Sequence, residues 1–214
     1  MIKKMTNSIQ QLQWRYAVKK FDDAKILPEA KIQILKEAFN LTATSYGLQP
    51  IKMLVIKDKK LQDQLVPVSY HQKQVGQASH LLVFCIESQI DETYINNYFK
   101  NVKKLRNTSD EILNPFKNFL IQDFSKKTID EIKTWATNQA YLAMGNLLTV
   151  CAIEEIDACP MEGFLAKEYH EILKLKEKNL EVVLVLPVGY RAEDDVFSNF
   201  AKVRKPLSDC VIDL

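Results

Sequence analysis

Two pairs of cations stand near opposite ends of the chain, Arg15 with Lys19 and Lys202 with Arg204. If 15–22 is helical, Arg15 and Lys19 lie four apart on one face; if it is extended, the period of two puts them on the same side. In an extended tail Lys202 and Arg204 also share a side. A solvated surface is the commoner fate of any one such pair. Two pairs can also meet around a single phosphate, where charge-assisted hydrogen bonds are strong and an arginine fork grips two oxygens.

Two loops offer complementary chemistry. Cys159, Pro160, Met161, Glu162, Gly163 and Phe164 follow an apolar run, and Pro and Gly respectively fix and free the backbone. Such a loop can lie flat against a planar group, and a cofactor ring is one candidate. The stretch 41–50 is rich in small and hydroxyl residues, including Ala43, Thr44, Ser45 and Gly47. They allow close approach to the backbone, although loops of this composition are commonly only loops.

Other chemistries lack their residues. No GxGxxG follows a strand, and GxxxxGK[ST] and GxSxG do not occur. His71 and His170 have no acid or thiol at metal spacing, and His80 reads as a hydrogen-bonded strand end, so no metal site is expected. No nucleophile has a partnered base, so any enzymatic reaction here would be carried by a bound cofactor. The net charge of +2 has no basic stripe or polybasic tail, which argues against nucleic acid and membrane surfaces. Cys85, Cys151, Cys159 and Cys210 show no CxxC spacing and read as buried reduced thiols. The opening MIKKMTNSIQ has no apolar signal core, so a cytoplasmic protein is expected.

Elements must position these residues. Residues 140–153 are apolar almost all round, which describes a helix buried on every side and, at Ala143 and Gly145, approached by another backbone. Thr128, Ile129, Asp130 and Glu131 form a capping box that starts it. Upstream, Thr6 or Asn7 caps a helix through Trp14, Pro28 opens another that carries Ile32, Leu35 and Phe39, and Asp58 caps a third. Strands are expected over 51–57, 80–87 and 181–187, with a helix over 164–179. The tail 199–214 has no helical period. The span 89–127 is helical in pattern, broken at Asn114 and Pro115, and reads as a lid insertion in a single domain of 1–214.

Six motifs stand in register with those of a known family: 15–22, 44–50, Ala78-Ser79-His80, 160–164, Pro187-Val188-Gly189-Tyr190 and 202–206. Their order and spacing resemble the FMN-dependent nitroreductases, most nearly the oxygen-insensitive NAD(P)H nitroreductase/dihydropteridine reductase branch. The resemblance covers nearly the whole chain and implies an α+β fold with a mixed central sheet flanked by helices. It also implies an intertwined homodimer with exchanged C-terminal tails, and an FMN in each of two shared sites.

Carried onto this sequence, Arg15, Lys202 and Arg204 resemble the phosphate-binding cations, with Tyr16 and Ala17 at the same end. Lys19 resembles the base beside the pyrimidine edge of the ring. Thr44, Ser45 and Gly47 would come from the other subunit, and Ala43 beside them is also taken as cofactor-binding. Pro160, Met161, Glu162 and Gly163 would lie on the ring, with a backbone N–H of Glu162 or Gly163 facing N5 and no side-chain catalyst. His71 and Gln74 stand where an Asn and a Lys that touch the ring are frequent, Ala17 lacks a common hydroxyl, and Gly47 replaces a common Asn. Tyr70, Phe119 and Phe124 are candidates for the substrate pocket. The implied activity is ping-pong two-electron transfer from NAD(P)H to a nitroaromatic, quinone or pteridine. A flavin reductase or another specialised FMN enzyme of the same fold, and a non-catalytic flavin-binding protein, are the alternatives.

Overall fold

The computed structural model describes residues 7–214, so a cap by Thr6 lies outside the described residues. In chain order the elements are α1 (Asn7–Trp14), α2 (Glu29–Asn40), β1 (Ile51–Ile56), α3 (Lys59–Leu65), α4 (Gln74–Gln77), β2 (His80–Glu87), α5 (Glu92–Arg106), α6 (Asp110–Ser125), α7 (Ile129–Ile153), β3 (Asp157–Ala158), α8 (Ala166–Ile172) and β4 (Leu180–Gly189). The strands form one sheet in the order β1-β2-β4-β3. All three ladders are antiparallel, which corrects the expected mixed sheet. The N-terminal segment supplies the parallel pairing found among the described residues, and it does so through an isolated bridge between Ala17 and Ala158 rather than a strand.

The alternation of side chains along a strand divides the core in two. Leu82, Phe84 and Ile86 of β2 join Leu184, Leu186 and Val188 of β4 beneath α2, α5, α6 and α7. Leu81, Val83 and Cys85 face the other way, onto Leu65, Val75 and Tyr169. Seven of the eight β2 residues are buried, as a strand covered on both faces requires. Between Phe84 and Cys85 the register with β4 slips, so Val183 and Leu184 both reach the first core. A β-bulge does this by inserting one unmatched residue.

Helix α7 begins at the expected capping box: Thr128 Oγ1 accepts from the Glu131 N–H at 3.2 Å, and Glu131 Oε2 accepts from the Thr128 N–H at 2.7 Å. Its inner face buries Ala136, Ala140, Ala143 and Leu147 against the sheet. The outer face is open, which corrects the expectation of burial on every side: Leu142 is 56 % exposed and Tyr141 45 %. Apart from the adjoining residues and the surrounding helix backbone, no atom lies within 4 Å of where a Cβ on Gly145 would stand.

Two further boundaries differ from the sequence reading. The lid breaks at Asn107, whose left-handed φ of 52° ends α5, and Pro115 sits inside α6. A proline there forgoes one helical hydrogen bond but need not end the helix when packing holds it. The helix expected over 164–179 stops at Ile172, because Lys174 takes a φ of 52° and turns the chain so that Leu175 is fully buried and β4 can start.

Candidate functional site

Beyond Trp14 the chain leaves the helix and runs along β3. The Val18 N–H donates to the Ala158 carbonyl at 3.3 Å, and Phe21 bridges Arg191. Val18 and Phe21 are sealed in the second core, which fixes the segment that carries Arg15 and Lys19. Asp195, almost fully buried, then ties that segment to the start of the tail. Its Oδ2 accepts from the Tyr16 hydroxyl at 2.9 Å, the Lys19 N–H at 3.0 Å and the Lys20 N–H at 3.2 Å, while Oδ1 accepts from the Phe197 N–H at 3.2 Å.

From this anchor the tail brings its own cations back to the first pair. Lys202 Nζ donates to the Arg15 carbonyl. The Arg15 guanidinium pKa is pushed down by burial and then by the neighbouring charge of Arg204. Burial and then Arg15, Arg204 and Arg191 lower that of the Lys202 ammonium. Arg191 is neutralised by Asp157, which accepts from its Nε at 2.7 Å, and is stacked between Trp14 and Tyr16. None of Arg15, Lys19, Lys202 and Arg204 has a salt-bridge partner among the described residues. Cations held together without a carboxylate make a site for an anion.

The loop after β3 enters the same region. Cys159 and Met161 donate their N–H groups to the Pro187 and Val185 carbonyls at 3.1 and 2.8 Å, which lays the loop along β4. Burial raises the Cys159 thiol pKa, while the charges of Lys19 and, more weakly, Arg15 pull it the other way, so loop and cations share one field. Among the described hydrogen bonds, neither the Glu162 nor the Gly163 N–H donates to a protein group. Tyr141 of α7 donates to Glu162 Oε1 at 2.8 Å. It also lines an open groove of about 750 Å³ along the outer face of α7, with Leu142, Gly145 and Thr149.

The nitroreductase family model matches residues 12–190. The chain belongs to the nitroreductase family. A member provisionally named an NAD(P)H nitroreductase, from Staphylococcus haemolyticus, is 30 % identical over 215 aligned residues, covering 95 % of each chain. A Bacillus subtilis member named in the same provisional way is 26 % identical and covers 88 % of this chain and 90 % of its own. Among solved structures, a nitroreductase-like protein from Exiguobacterium sibiricum in complex with FMN superposes with a TM-score of 0.83 at 18 % identity, covering 100 % of both chains. Another from Bacillus subtilis gives 0.85 at 18 %, covering 96 % and 98 %. At those identities the superpositions speak for the nitroreductase fold.

Within this fold the residues singled out from sequence fall into two groups. Arg15, Ala17, Lys19, Gln74, Lys202, Arg204 and the loop of Pro160, Met161, Glu162 and Gly163 come together. Tyr70 joins them, its ring 3.6 Å from the position of a Cβ on Gly163. Tyr70 and His71 take consecutive left-handed φ values of 52° and 57°, strain of a kind that collects at functional sites. Tyr16 faces Asp195 and Arg191, which makes it a support of the cation segment.

Ala43, Thr44, Ser45 and Gly47 sit elsewhere in the single chain. The Ser45 N–H donates to Gln139 Oε1 at 2.8 Å, and a Cβ on Gly47 would come within 2.6 Å of the Tyr98 hydroxyl. Phe119 is exposed on α6, and Phe124 is buried against Trp135 with ring centroids 5.0 Å apart, so Phe124 packs the core instead of opening onto a pocket.

Sequence reasoning missed Asp195, Arg191, Tyr141 and Gln72, whose partners are remote in the chain. Only Asp195 carries a local signal, a carboxylate two residues before a turn N–H. Its burial raises the carboxyl pKa, but the four donors hold it below the ordinary 3.8. A carboxylate so held contributes stability above pH 3.8 and loses it as pH falls through the folded-state value. Asp195→Asn is therefore expected to lower unfolding free energy at pH 7 by about 1–3 kcal/mol. In urea titrations the gap from wild type should narrow below pH 3.8; equal stability at pH 7 would contradict the anchor.

Proposed function

We propose that the chain is an NAD(P)H-dependent FMN oxidoreductase of the nitroreductase/dihydropteridine reductase type, working as a homodimer. The carrying observation is the convergence of Arg15, Lys202 and Arg204 with no counter-ion among the described residues, beside a loop with two N–H groups that donate to no described protein group. Those residues fit the cofactor chemically: three cations suit a dianionic phosphate, and Glu162 and Gly163 offer donors to a ring nitrogen. Lys19 supplies positive charge on the side where the ring's pyrimidine edge would gain electron density. Ala17 and the backbone of Tyr16 are assigned to the phosphate end, with the Tyr16 side chain turned to Asp195 and Arg191, and His71 and Gln74 to the ring. When bound, FMN supplies a ring that accepts hydride and returns two electrons. The protein's part is to hold it, exclude water and admit reactants.

Tyr70 and Phe119 are the exposed aromatics proposed to border the entrance, with 89–127 as a lid. NAD(P)H and then a nitroaromatic, quinone or pteridine would use that entrance in turn. A second copy accounts for what one chain leaves open. The outer face of α7 exposes Leu142 beside Gly145, and in the tail Val203, Leu207 and Ile212 are each more than three-quarters exposed. Apolar surface of this kind is stabilised by burial in a partner. Ala43, Thr44, Ser45 and Gly47, which lie away from the cations of their own chain, are assigned to the partner's site.

The test is direct. Purified protein is expected to be yellow, to retain FMN through many turnovers, and to oxidise NADH or NADPH with a quinone or nitro acceptor. Colourless protein that takes up no FMN and leaves NAD(P)H untouched overturns the reading. Turnover only with added free flavin would make it a flavin reductase, and bound flavin that NAD(P)H cannot reduce would leave a binding protein. For the assembly, Leu142→Glu places a charge on the open α7 face. It is expected to yield a monomer in sedimentation with markedly weakened FMN retention, whereas an unchanged dimer would remove this face from the interface.

A further inference from the structure

Gln72 was no part of any sequence motif, yet its side chain reaches the loop of Glu162 and Gly163. Its Nε2 donates to the Gly163 carbonyl at 2.8 Å. The amide cannot be the other way round, because, of its two ends, only the nitrogen can donate to a carbonyl oxygen. Its Oε1 in turn accepts from Gln74 Nε2 at 3.1 Å, and Gln74 is buried with the same nitrogen 4.0 Å from Cys159 Sγ. Gly163 leaves room for this approach, since a Cβ there would stand 3.1 Å from Gln72 Nε2.

The bond falls where the backbone has least other support. Met161 is held by β4 through Val185, and the Leu165 N–H donates to the Val68 carbonyl at 2.8 Å. Between those two anchors, Glu162 is held through its side chain by Tyr141, and its carbonyl accepts from the Phe164 N–H at 3.0 Å. At Gly163 the hydrogen bond to the rest of the protein is the one from Gln72.

We propose that Gln72 is a positioning residue: through the Gly163 carbonyl it sets the orientation of the Glu162 and Gly163 N–H groups toward a bound flavin, and Gln74 locks its amide in the donating sense. The proposal rests on the flavin reading above. It assigns the neutral Gln74 a task of its own, as a second-rank hydrogen-bond donor in place of a cation. Losing the clamp frees the Gly163–Phe164 peptide, and with it the Gly163 torsions that aim the preceding N–H groups, without removing any of the cations proposed to hold a phosphate, so binding and hydride acceptance should separate.

Two variants test it, Gln72→Leu, which keeps bulk and loses the donor, and Gln72→Glu. Three readouts apply: FMN dissociation constant, the rate at which NAD(P)H bleaches bound flavin, and backbone hydrogen exchange across 161–165 in the protein as purified. Gln72→Leu is expected to exchange about tenfold faster in that segment and to bleach about tenfold slower, with FMN affinity within about threefold of wild type. Gln72→Glu can donate to the carbonyl only when protonated, so its bleaching rate should rise as pH falls toward about 4.3, against a flatter wild-type profile. A residue that merely aided folding would give no such pH dependence. Wild-type exchange and bleaching in both variants overturn the proposal. Wild-type protein that binds no FMN defeats the flavin reading instead, and the exchange measurement still decides whether Gln72 holds the loop.

Discussion

The fold holds Arg15, Lys202 and Arg204 in mutual repulsion, and the rest of the site depends on that constraint. Like charges brought together in a partly buried place disfavour one another, which is why burial and neighbouring cations depress the pKa of both Arg15 and Lys202. The chain accepts this because other interactions over-determine the geometry. Val18 and Phe21 lock the first segment into the core, and Asp195 joins it to the turn that launches the tail. Of the two buried carboxylates, Asp157 is taken up by Arg191 and Asp195 by backbone and phenol donors, which leaves Arg15, Lys202 and Arg204 without a carboxylate partner among the described residues.

The remaining architecture follows from where that cluster lies. The antiparallel sheet, filled on both faces, gives β4 the rigidity to hold the loop of 159–163 by alternate hydrogen bonds. Alternate pairing leaves every second residue free, and Glu162 falls on a free position. Next to the site the surface is apolar and open. The outer face of α7 and the apolar residues of the tail have too little of their own chain to bury against, and Tyr141 links that open face directly to Glu162. The open face and the site are thus physically coupled.

What could be read from the sequence was whatever depends on near neighbours. The capping box at Thr128, the Asp58 cap and the continuous apolar run of β2 are local patterns, and each forms as expected. The cation pairs were visible by their spacing, but the side chains that organise them were not. Asp195 meets Tyr16 across 179 positions, and Gln72 meets Gly163 across 91. The broken lid was misplaced because Pro115 is the louder signal, whereas Asn107 made the turn by adopting a left-handed conformation that a non-glycine seldom advertises. Phe124 looked like a pocket residue because aromatic composition does not distinguish a ring facing solvent from one facing Trp135.

The central claim is that cations from both ends of the chain grip a phosphate. It is tested most directly by comparing the affinities of FMN and riboflavin, which share a ring and differ in that group. The account predicts that FMN binds more than a hundredfold tighter, the effect of about two charge-assisted hydrogen bonds, with the advantage shrinking as salt is raised. Equal affinity for the two flavins would contradict it.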